Sequence, residues 1–336
     1  MASKAEDRSA RAAALLGRLR LPVVAAPMFL VSGPDLVVAC CRAGVLGTFP
    51  ALNQRTTEGF AAWLDEVEAR LTSRDAPVGV NLIVHTSNPR LHADLEVVVA
   101  HQVPVVITSL GAVRDVVAAV HSYGGLVLHD VTTLRHARAA AEAGVDGLIL
   151  VSAGAGGHAG TLNPFAFVAS VRPWFTGLLL LAGGLSRGAD VFAAQAMGAD
   201  LAYLGTRFLA SAEADAAPGY REMLVDAQAA DIVYTPAVSS VPANFLRASL
   251  AAAGIDPDAD PGAVDLSHLT RPDTVTATAW RDVWSAGQGV AAIHDIPFVA
   301  DLVDRLTVEY EAARDRCAAL AADVLAPGGT AAEETL

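Results

Sequence analysis

One histidine stands in a stretch of the chain that carries almost no other side chains. His158 ends the run Gly154-Ala155-Gly156-Gly157-His158, and Gly160 follows two residues later. Glycines leave only backbone beside the imidazole, so the ring can face a bound molecule. An imidazole exchanges its proton near neutral pH, as a general base or acid must. We therefore predict that His158 is catalytic; the alternative is a structural or substrate-orienting role.

Two further glycine turns indicate a phosphate site. Gly183-Gly184 and Gly205-Thr206 each follow a short apolar run, and the first pair comes just before a predicted helix. Glycine lets backbone N–H groups approach a phosphate closely, and a helix N-terminus adds partial positive charge. Glycine also makes ordinary turns, but two such turns after consecutive strands favour phosphate. The sequence predicts that these four residues hold a phosphate group.

Weaker candidates follow other predicted strands. Met28, after Pro27, could lie against a flat aromatic ring, although methionine is commoner in cores. Asn81 could both donate hydrogen bonds to a planar heterocycle and accept them from it. His129 and Asp130 are adjacent, but no third ligand stands at a recognisable spacing, and HExxH is absent. We therefore predict no metal site.

Eight strand–helix units account for the positions of these residues. The predicted strands are continuous apolar runs, which is typical of parallel strands buried on both faces. Eight units favour an α/β fold with a closed (β/α)₈ barrel, the TIM barrel, over an open sheet. Such barrels collect their functional groups at the carboxyl ends of the strands. The predicted strands are residues 22–26, 45–48, 78–82, 105–108, 126–129, 147–151, 178–181 and 201–203.

Alanine-rich segments between these strands show the three- and four-residue apolar spacing of helices. After residue 206 the alternation stops, and the chain becomes polar and irregular until a last helix. We predict that residues 1–206 plus 301–322 form the barrel. Residues 207–300 would form an inserted helical and loop region on the substrate side of the mouth, and residues 327–336 a mobile tail. The predicted helices are residues 35–42, 57–71, 91–100, 113–121, 134–143, 164–171, 189–197 and 301–322.

Composition excludes several classes of partner. The formal net charge of −13 argues against nucleic acid, which needs clustered Lys and Arg. The apolar run at residues 21–31 is broken by Pro27 and too short to span a membrane, so no membrane association is expected. Three cysteines without CxxC spacing suggest buried, reduced thiols, and we predict a cytoplasmic protein. A homo-oligomer is compatible with this composition.

These motifs occur together in a known family. The chain resembles the nitronate monooxygenases, formerly called 2-nitropropane dioxygenases, over about residues 20–315. The likeness rests on the glycine-rich stretch before His158, the two phosphate turns, and four further segments in the same order. Those segments are Ala26-Pro27-Met28, Gly79-Val80-Asn81-Leu82, Asp231-Ile232-Val233-Tyr234-Thr235 and Trp284-Ser285-Ala286-Gly287-Gln288-Gly289.

The resemblance implies FMN as the cofactor and a small-molecule substrate with O₂ as its partners. It implies that the four residues of the two turns hold the FMN phosphate and that His158 takes a proton from the carbon next to a nitro group. Met28 and Asn81 would lie near the isoalloxazine ring. The remaining residues assigned to the cofactor are Pro27, His129, Ala155, Gly156, Gly157 and Gln288.

The chain departs from the commoner family pattern at two positions. Gly154 stands where the family often has Glu, and Leu126 falls where many members have a Lys that contacts the flavin. His129 or Asp130 would then replace that lysine. FMN-dependent enoyl-ACP reductases share much of the same pattern. An NAD(P)H-using reductase of an enoyl thioester is therefore the alternative to a nitronate monooxygenase.

Overall fold

Eight parallel strands close into a barrel in the computed structural model, which describes residues 4–111, 113–259 and 281–325. The predicted mobile tail, residues 327–336, lies outside these ranges. Neighbouring barrel strands follow one another in chain order, and the last barrel strand pairs back onto the first. Each predicted strand is present to within two residues at either end, so the (β/α)₈ fold is confirmed. The barrel strands are β1 (Val23–Ala25), β2 (Leu46–Pro50), β3 (Val78–Ile83), β4 (Val105–Ser109), β5 (Leu126–Val131), β6 (Gly147–Val151), β8 (Leu178–Ala182) and β9 (Leu201–Leu204).

Helices follow the barrel strands, and local signals fix their ends. Thr56 and Thr133 accept hydrogen bonds from backbone N–H groups of the helices they precede. Gly44 and Gly144 end two helices in the left-handed conformation. The helices are α1 (Lys4–Leu16), α2 (Pro34–Ala43), α3 (Thr57–Arg70), α4 (Leu91–Ala100), α5 (Arg114–His121), α6 (Leu134–Ala143), α7 (Pro164–Val171), α8 (Gly188–Ala196), α9 (Thr206–Leu209), α10 (Pro218–Asp226), α11 (Arg247–Ala252) and α12 (Val299–Leu325).

The barrel interior is filled by branched aliphatic side chains. Val24, Ile107, Leu128 and residues of most other barrel strands form one buried cluster, and Leu15 of α1 joins it. Arg11 of α1 also donates to the carbonyl of Gly125, just before β5. Helix α1, for which the sequence predicted no element, therefore packs against the amino-terminal end of the barrel. The opposite end carries the candidate site.

A small antiparallel sheet lies at that opposite end. Its strands are β7 (Gly157–His158), β10 (Ile232–Thr235) and β11 (Ala243–Leu246), in the order β10-β11-β7. The sequence predicted only helices and loops between residues 207 and 300, and the presence of β10 and β11 corrects that. The strands have only two to four residues each, which is too short for a clear local pattern. β10 and β11 form a hairpin, whereas β7 pairs with a segment far along the chain. The sheet ties the segment after the barrel to the loop that carries His158.

Two smaller observations bear on the remaining predictions. Within residues 4–111, 113–259 and 281–325, no helix combines the length and apolar character that crossing a bilayer requires. Cys40 and Cys41 are buried, as predicted, but Cys317 is exposed on α12. That helix presents its outer face to solvent, which corrects the expectation of three buried thiols.

Candidate active site

A cavity of about 1030 Å³ opens at the carboxyl ends of the barrel strands. Twelve of the thirteen predicted site residues line it. The thirteenth, Gln288, has an exposed side chain outside the cavity wall, and its contact with a cofactor stays a prediction. The predicted residues on the wall are Pro27, Met28, Asn81, His129, Ala155, Gly156, Gly157, His158, Gly183, Gly184, Gly205 and Thr206.

The two predicted phosphate turns lie side by side, because they follow the paired strands β8 and β9. The backbone N–H groups of Gly183, Gly184 and Thr206 donate no hydrogen bond to another described residue. Gly184 has a φ of +73°, and a Cβ built there would meet nothing within 4 Å. Unpaired donors beside open space are what an incoming anion requires. The turns can therefore bind a phosphate group through backbone alone.

Gly183 serves a different purpose from Gly184. Its φ is +126°, and a Cβ there would collide with Oγ of Ser152 and lie 2.8 Å from the carbonyl oxygen of Ala153. Gly183 therefore lacks a side chain because the β6 loop packs against it.

The N-terminus of α8 is already occupied by carboxylates. Asp190 accepts hydrogen bonds from the N–H groups of Ser186 and Arg187, and Glu309 of α12 accepts from Gly188 N at 2.7 Å. The expected contribution of this helix N-terminus to a phosphate site is therefore not available. The N–H donors of the glycine turns remain.

A turn from the segment after the barrel, residues 284–290, closes against the glycine-rich loop. Gln288 N donates to Gly154 O at 2.8 Å, and Gly157 N donates to Ser285 Oγ at 2.7 Å. Tyr220 holds the turn, because its hydroxyl donates to the carbonyl of Ser285 and accepts from the N–H of the same residue. These contacts keep the loop before His158 in one conformation. The role of Ser285 was missed from the sequence, because its partner is 128 residues away.

The structure explains why glycine replaces the common glutamate at position 154. Gly154 has a φ of +85°, in the region that favours glycine. A Cβ at this position would lie 2.8 Å from Oε1 of Gln288, whose side chain covers the glycine. A glutamate here would need both a strained backbone and a displaced Gln288.

His158 is held through its backbone and its ring. As part of β7 it pairs with Ala243 of β11. Nε2 of the ring lies 3.4 Å from Oγ of Ser239, which donates its own proton to Val241 O at 2.9 Å. The Ser239 oxygen therefore presents a lone pair to Nε2, which favours a proton on that nitrogen. Sequence reasoning did not find Ser239.

Three polar side chains form a network at the ends of β3, β4 and β5. Ser109 Oγ donates to Asp130 Oδ2 at 2.5 Å. Asn81 Nδ2 donates to Ser109 Oγ at 2.9 Å and to Ile107 O at 3.3 Å. Both amide hydrogens of Asn81 are therefore used inside the protein. The expectation that Asn81 both donates and accepts is wrong in its first half: only its oxygen is left to bind a ligand.

Burial shifts the pKa values of two neighbouring groups in opposite directions. Burial lowers the pKa of His129 to about 4, helped by the nearby His136, and its Nδ1 lies 2.8 Å from Thr108 Oγ1. Burial raises the pKa of the Asp130 carboxyl to about 6, although its hydrogen bond from Ser109 opposes the shift. His129 is thus neutral at pH 7. No metal-binding group of three or more His, Cys, Asp or Glu side chains occurs in the described part of the chain.

Comparisons with known proteins extend over barrel and mouth together. Residues 13–309 match a family model described as nitronate monooxygenase. A nitronate monooxygenase of Paraburkholderia phytofirmans is 28% identical, over 86% of this chain and 92% of that protein. The structure of a nitroalkane oxidase from Streptomyces ansochromogenes matches with a TM-score of 0.74 and 29% identity, over 90% of this chain and 99% of the other. FabK from Thermotoga maritima matches with a TM-score of 0.77 and 25% identity, over 92% and 98%.

Proposed function

Because the chain belongs to the nitronate monooxygenase family, whose members are flavin-dependent oxidoreductases, we propose that it binds FMN and oxidises alkyl nitronates or nitroalkanes with O₂. The observation that carries the proposal is the shared wall: His158 and both glycine turns line one cavity. Bound FMN would supply a two-electron acceptor that O₂ can reoxidise.

The residues present fit FMN at its phosphate end and beside its ring. Gly183, Gly184 and Thr206 offer unpaired N–H groups to a phosphate, and the space above Gly184 is open. Asn81 offers an oxygen to a ring N–H, and Met28 lies on the same wall. One phosphate site matches a mononucleotide. FMN is therefore favoured over FAD.

His158 would handle the substrate proton. The imidazole of His158 would take the proton from the carbon next to the nitro group, and the contact between Nε2 and Ser239 Oγ would help to hold the ring in place. With a preformed nitronate no proton needs to leave carbon, and His158 would instead orient the anion. The turn at residues 284–290 holds the loop that carries this histidine.

Oxygen uptake tests the proposal. Purified protein should be yellow, release FMN on heating, and consume O₂ when a nitronate is added without nicotinamide. Colourless protein that fails to bind added FMN would overturn the proposal.

The same assay distinguishes a nitronate monooxygenase from the reductase alternative. Rapid NAD(P)H oxidation with an enoyl thioester, without O₂ uptake on nitronates, would identify the chain as a reductase. The structural match to FabK from Thermotoga maritima is the observation that favours testing this alternative.

A further inference from the structure

The hydrogen bonds among Asn81, Ser109 and Asp130 run in one direction. A carboxylate only accepts, so the 2.5 Å contact between Asp130 and Ser109 uses the serine proton. The serine oxygen is then an acceptor, and the group 2.9 Å away must be the NH₂ of Asn81. The carbonyl of Ile107 also only accepts, and it lies 3.3 Å from the same nitrogen. Two independent acceptors thus fix the orientation of the amide.

From this network we infer that Asp130 is a positioning residue: acting through Ser109, it turns Asn81 so that only the amide oxygen faces the flavin ring. The inference rests on the proposed FMN site. It assigns a function to the carboxylate in the region where many relatives place a lysine. A lysine would contact the ring itself, whereas Asp130 works through two intermediates.

The free side of Asn81 lies toward the cavity. Asn81 is on its wall, and Oδ1 has no hydrogen-bond partner within the described ranges. The amide oxygen is therefore available to accept a hydrogen bond from a bound molecule. A ligand that offers an N–H at this place would be complementary to it.

Oxidised isoalloxazine has one N–H group, at N3, and its other polar ring atoms accept hydrogen bonds. An acceptor from the protein is therefore complementary to the N3 edge. If the amide were reversed, its NH₂ would face that N–H and repel it. The orientation of the Asn81 amide thus determines whether the site can bind the flavin with its N3 edge toward β3.

Burial of the Asp130 carboxylate is unfavourable, and packing of the fold does not explain why a carboxylate stands at this position. Its Oδ1 is buried and unpaired, while Oδ2 accepts from Ser109. An asparagine or serine at position 130 could also fill the space. Only a group without donor hydrogens forces the serine proton toward itself, and a carboxylate meets that condition. The need to orient the hydrogen bonds of Ser109 and Asn81 therefore explains a carboxylate at position 130.

Binding of two flavins tests the inference without measuring turnover. FMN and 3-methyl-FMN, in which a methyl group replaces the N3 hydrogen, are titrated into cofactor-free protein, and quenching of flavin fluorescence gives both dissociation constants. Wild type should prefer FMN by about tenfold, as expected for one hydrogen bond to a buried acceptor. Asp130→Ala and Ser109→Ala should lower that preference severalfold, because only the longer contact to Ile107 O then orients the amide.

Matched variants separate positioning from general damage. Ser109→Thr keeps the hydroxyl and should keep the preference. Asp115→Ala removes an exposed carboxylate from the same wall and should also keep it. If Asp130→Ala does not fold, the Ser109 pair still decides the question.

The outcomes distinguish the inference from the proposed function. A preference that is unchanged in both Asp130→Ala and Ser109→Ala, or a wild type that binds both flavins equally, overturns the positioning role alone. Failure of wild type to bind either flavin overturns the FMN site as well.

Discussion

The backbone N–H of Gly287 donates a 2.9 Å hydrogen bond to Oγ1 of Thr206, 81 residues earlier in the chain. This bond joins the turn over the mouth to the end of the last barrel strand. Because Oγ1 accepts from Gly287, its own hydrogen is free to point at a ligand. Thr206 therefore links the closing turn to the proposed phosphate site.

Replacing that hydroxyl should weaken flavin binding. We expect Thr206→Val to raise the FMN dissociation constant by roughly 3- to 10-fold, the effect of losing about one polar contact. Thr206→Ser keeps the hydroxyl and should bind as wild type does. Fluorescence titration measures both. Equal affinity of the valine variant and wild type would reassign Thr206 to structure.

Substitution by alanine should change stability by different amounts at Gly183 and Gly184. Gly184→Ala places a methyl group in open space at positive φ, so it should cost about 1–2 kcal/mol of stability and obstruct FMN. Gly183→Ala meets Ser152 and the Ala153 carbonyl, so it should destabilise the cofactor-free protein further. Urea unfolding with and without FMN separates the effects. The reverse order of stabilities in cofactor-free protein would contradict this assignment.

His158→Asn should separate proton abstraction from binding. With a neutral nitroalkane we expect a rate loss of roughly 10²–10⁴-fold, as for a missing general base. With a preformed nitronate the loss should be much smaller, because the proton is already gone. Oxygen uptake on the two substrates gives the ratio.

Retention of FMN by the His158→Asn variant is the control that shows it is folded. A wild type active on nitronates alone would make His158 an anion-orienting group, and its variant should then lose mainly affinity. Equal activity of variant and wild type on both substrates would remove His158 from the mechanism.

The Asp130 carboxyl should make stability depend on pH. Its pKa is about 6 in the folded chain against 3.8 for an exposed carboxyl, so between these values the folded state binds a proton that the unfolded state releases. Stability is therefore lost as pH rises from about 4 to about 6, by up to about 3 kcal/mol. Asp130→Asn removes this pH-dependent contribution to the free energy of unfolding. The variant's gain over wild type should appear above pH 6 and be absent below pH 4.

Urea unfolding at a series of pH values measures that difference. The pKa of His129 is lowered, so its term runs the other way: its stabilisation is lost as pH falls from about 6.5 toward 4. Because both proteins contain His129, that term cancels in the comparison. A difference independent of pH would contradict the raised pKa of Asp130.

Local sequence pattern predicted the barrel well because its signals are local. A strand buried on both faces, such as residues 147–151, reads as an uninterrupted apolar run wherever it occurs. The predicted wall residues follow from the same rule, since strand ends meet at one face. His158 and Gly184 were found in that way.

Features that depend on distant partners could not be read from local pattern. Strand β7 has only two residues, Gly157 and His158, and exists because β11 pairs with it. The donor hydrogens of Asn81 are used by groups on a neighbouring strand. The contact between the side chain of Gln288 and Gly154 also joins distant parts of the chain, and the cofactor contact of Gln288 stays a prediction.

The last helix connects the far end of the chain to the proposed phosphate turn. Glu309 of α12 accepts from Gly188 N, and a Cβ on Gly188 would run into the α12 backbone at Leu306. Fraying of α12 would therefore uncap α8 and loosen the turn that precedes it. By linkage, a ligand that holds the turn closed also suppresses opening of α12. Amide hydrogen exchange in a helix remote from the ring thus becomes a reporter of cofactor occupancy.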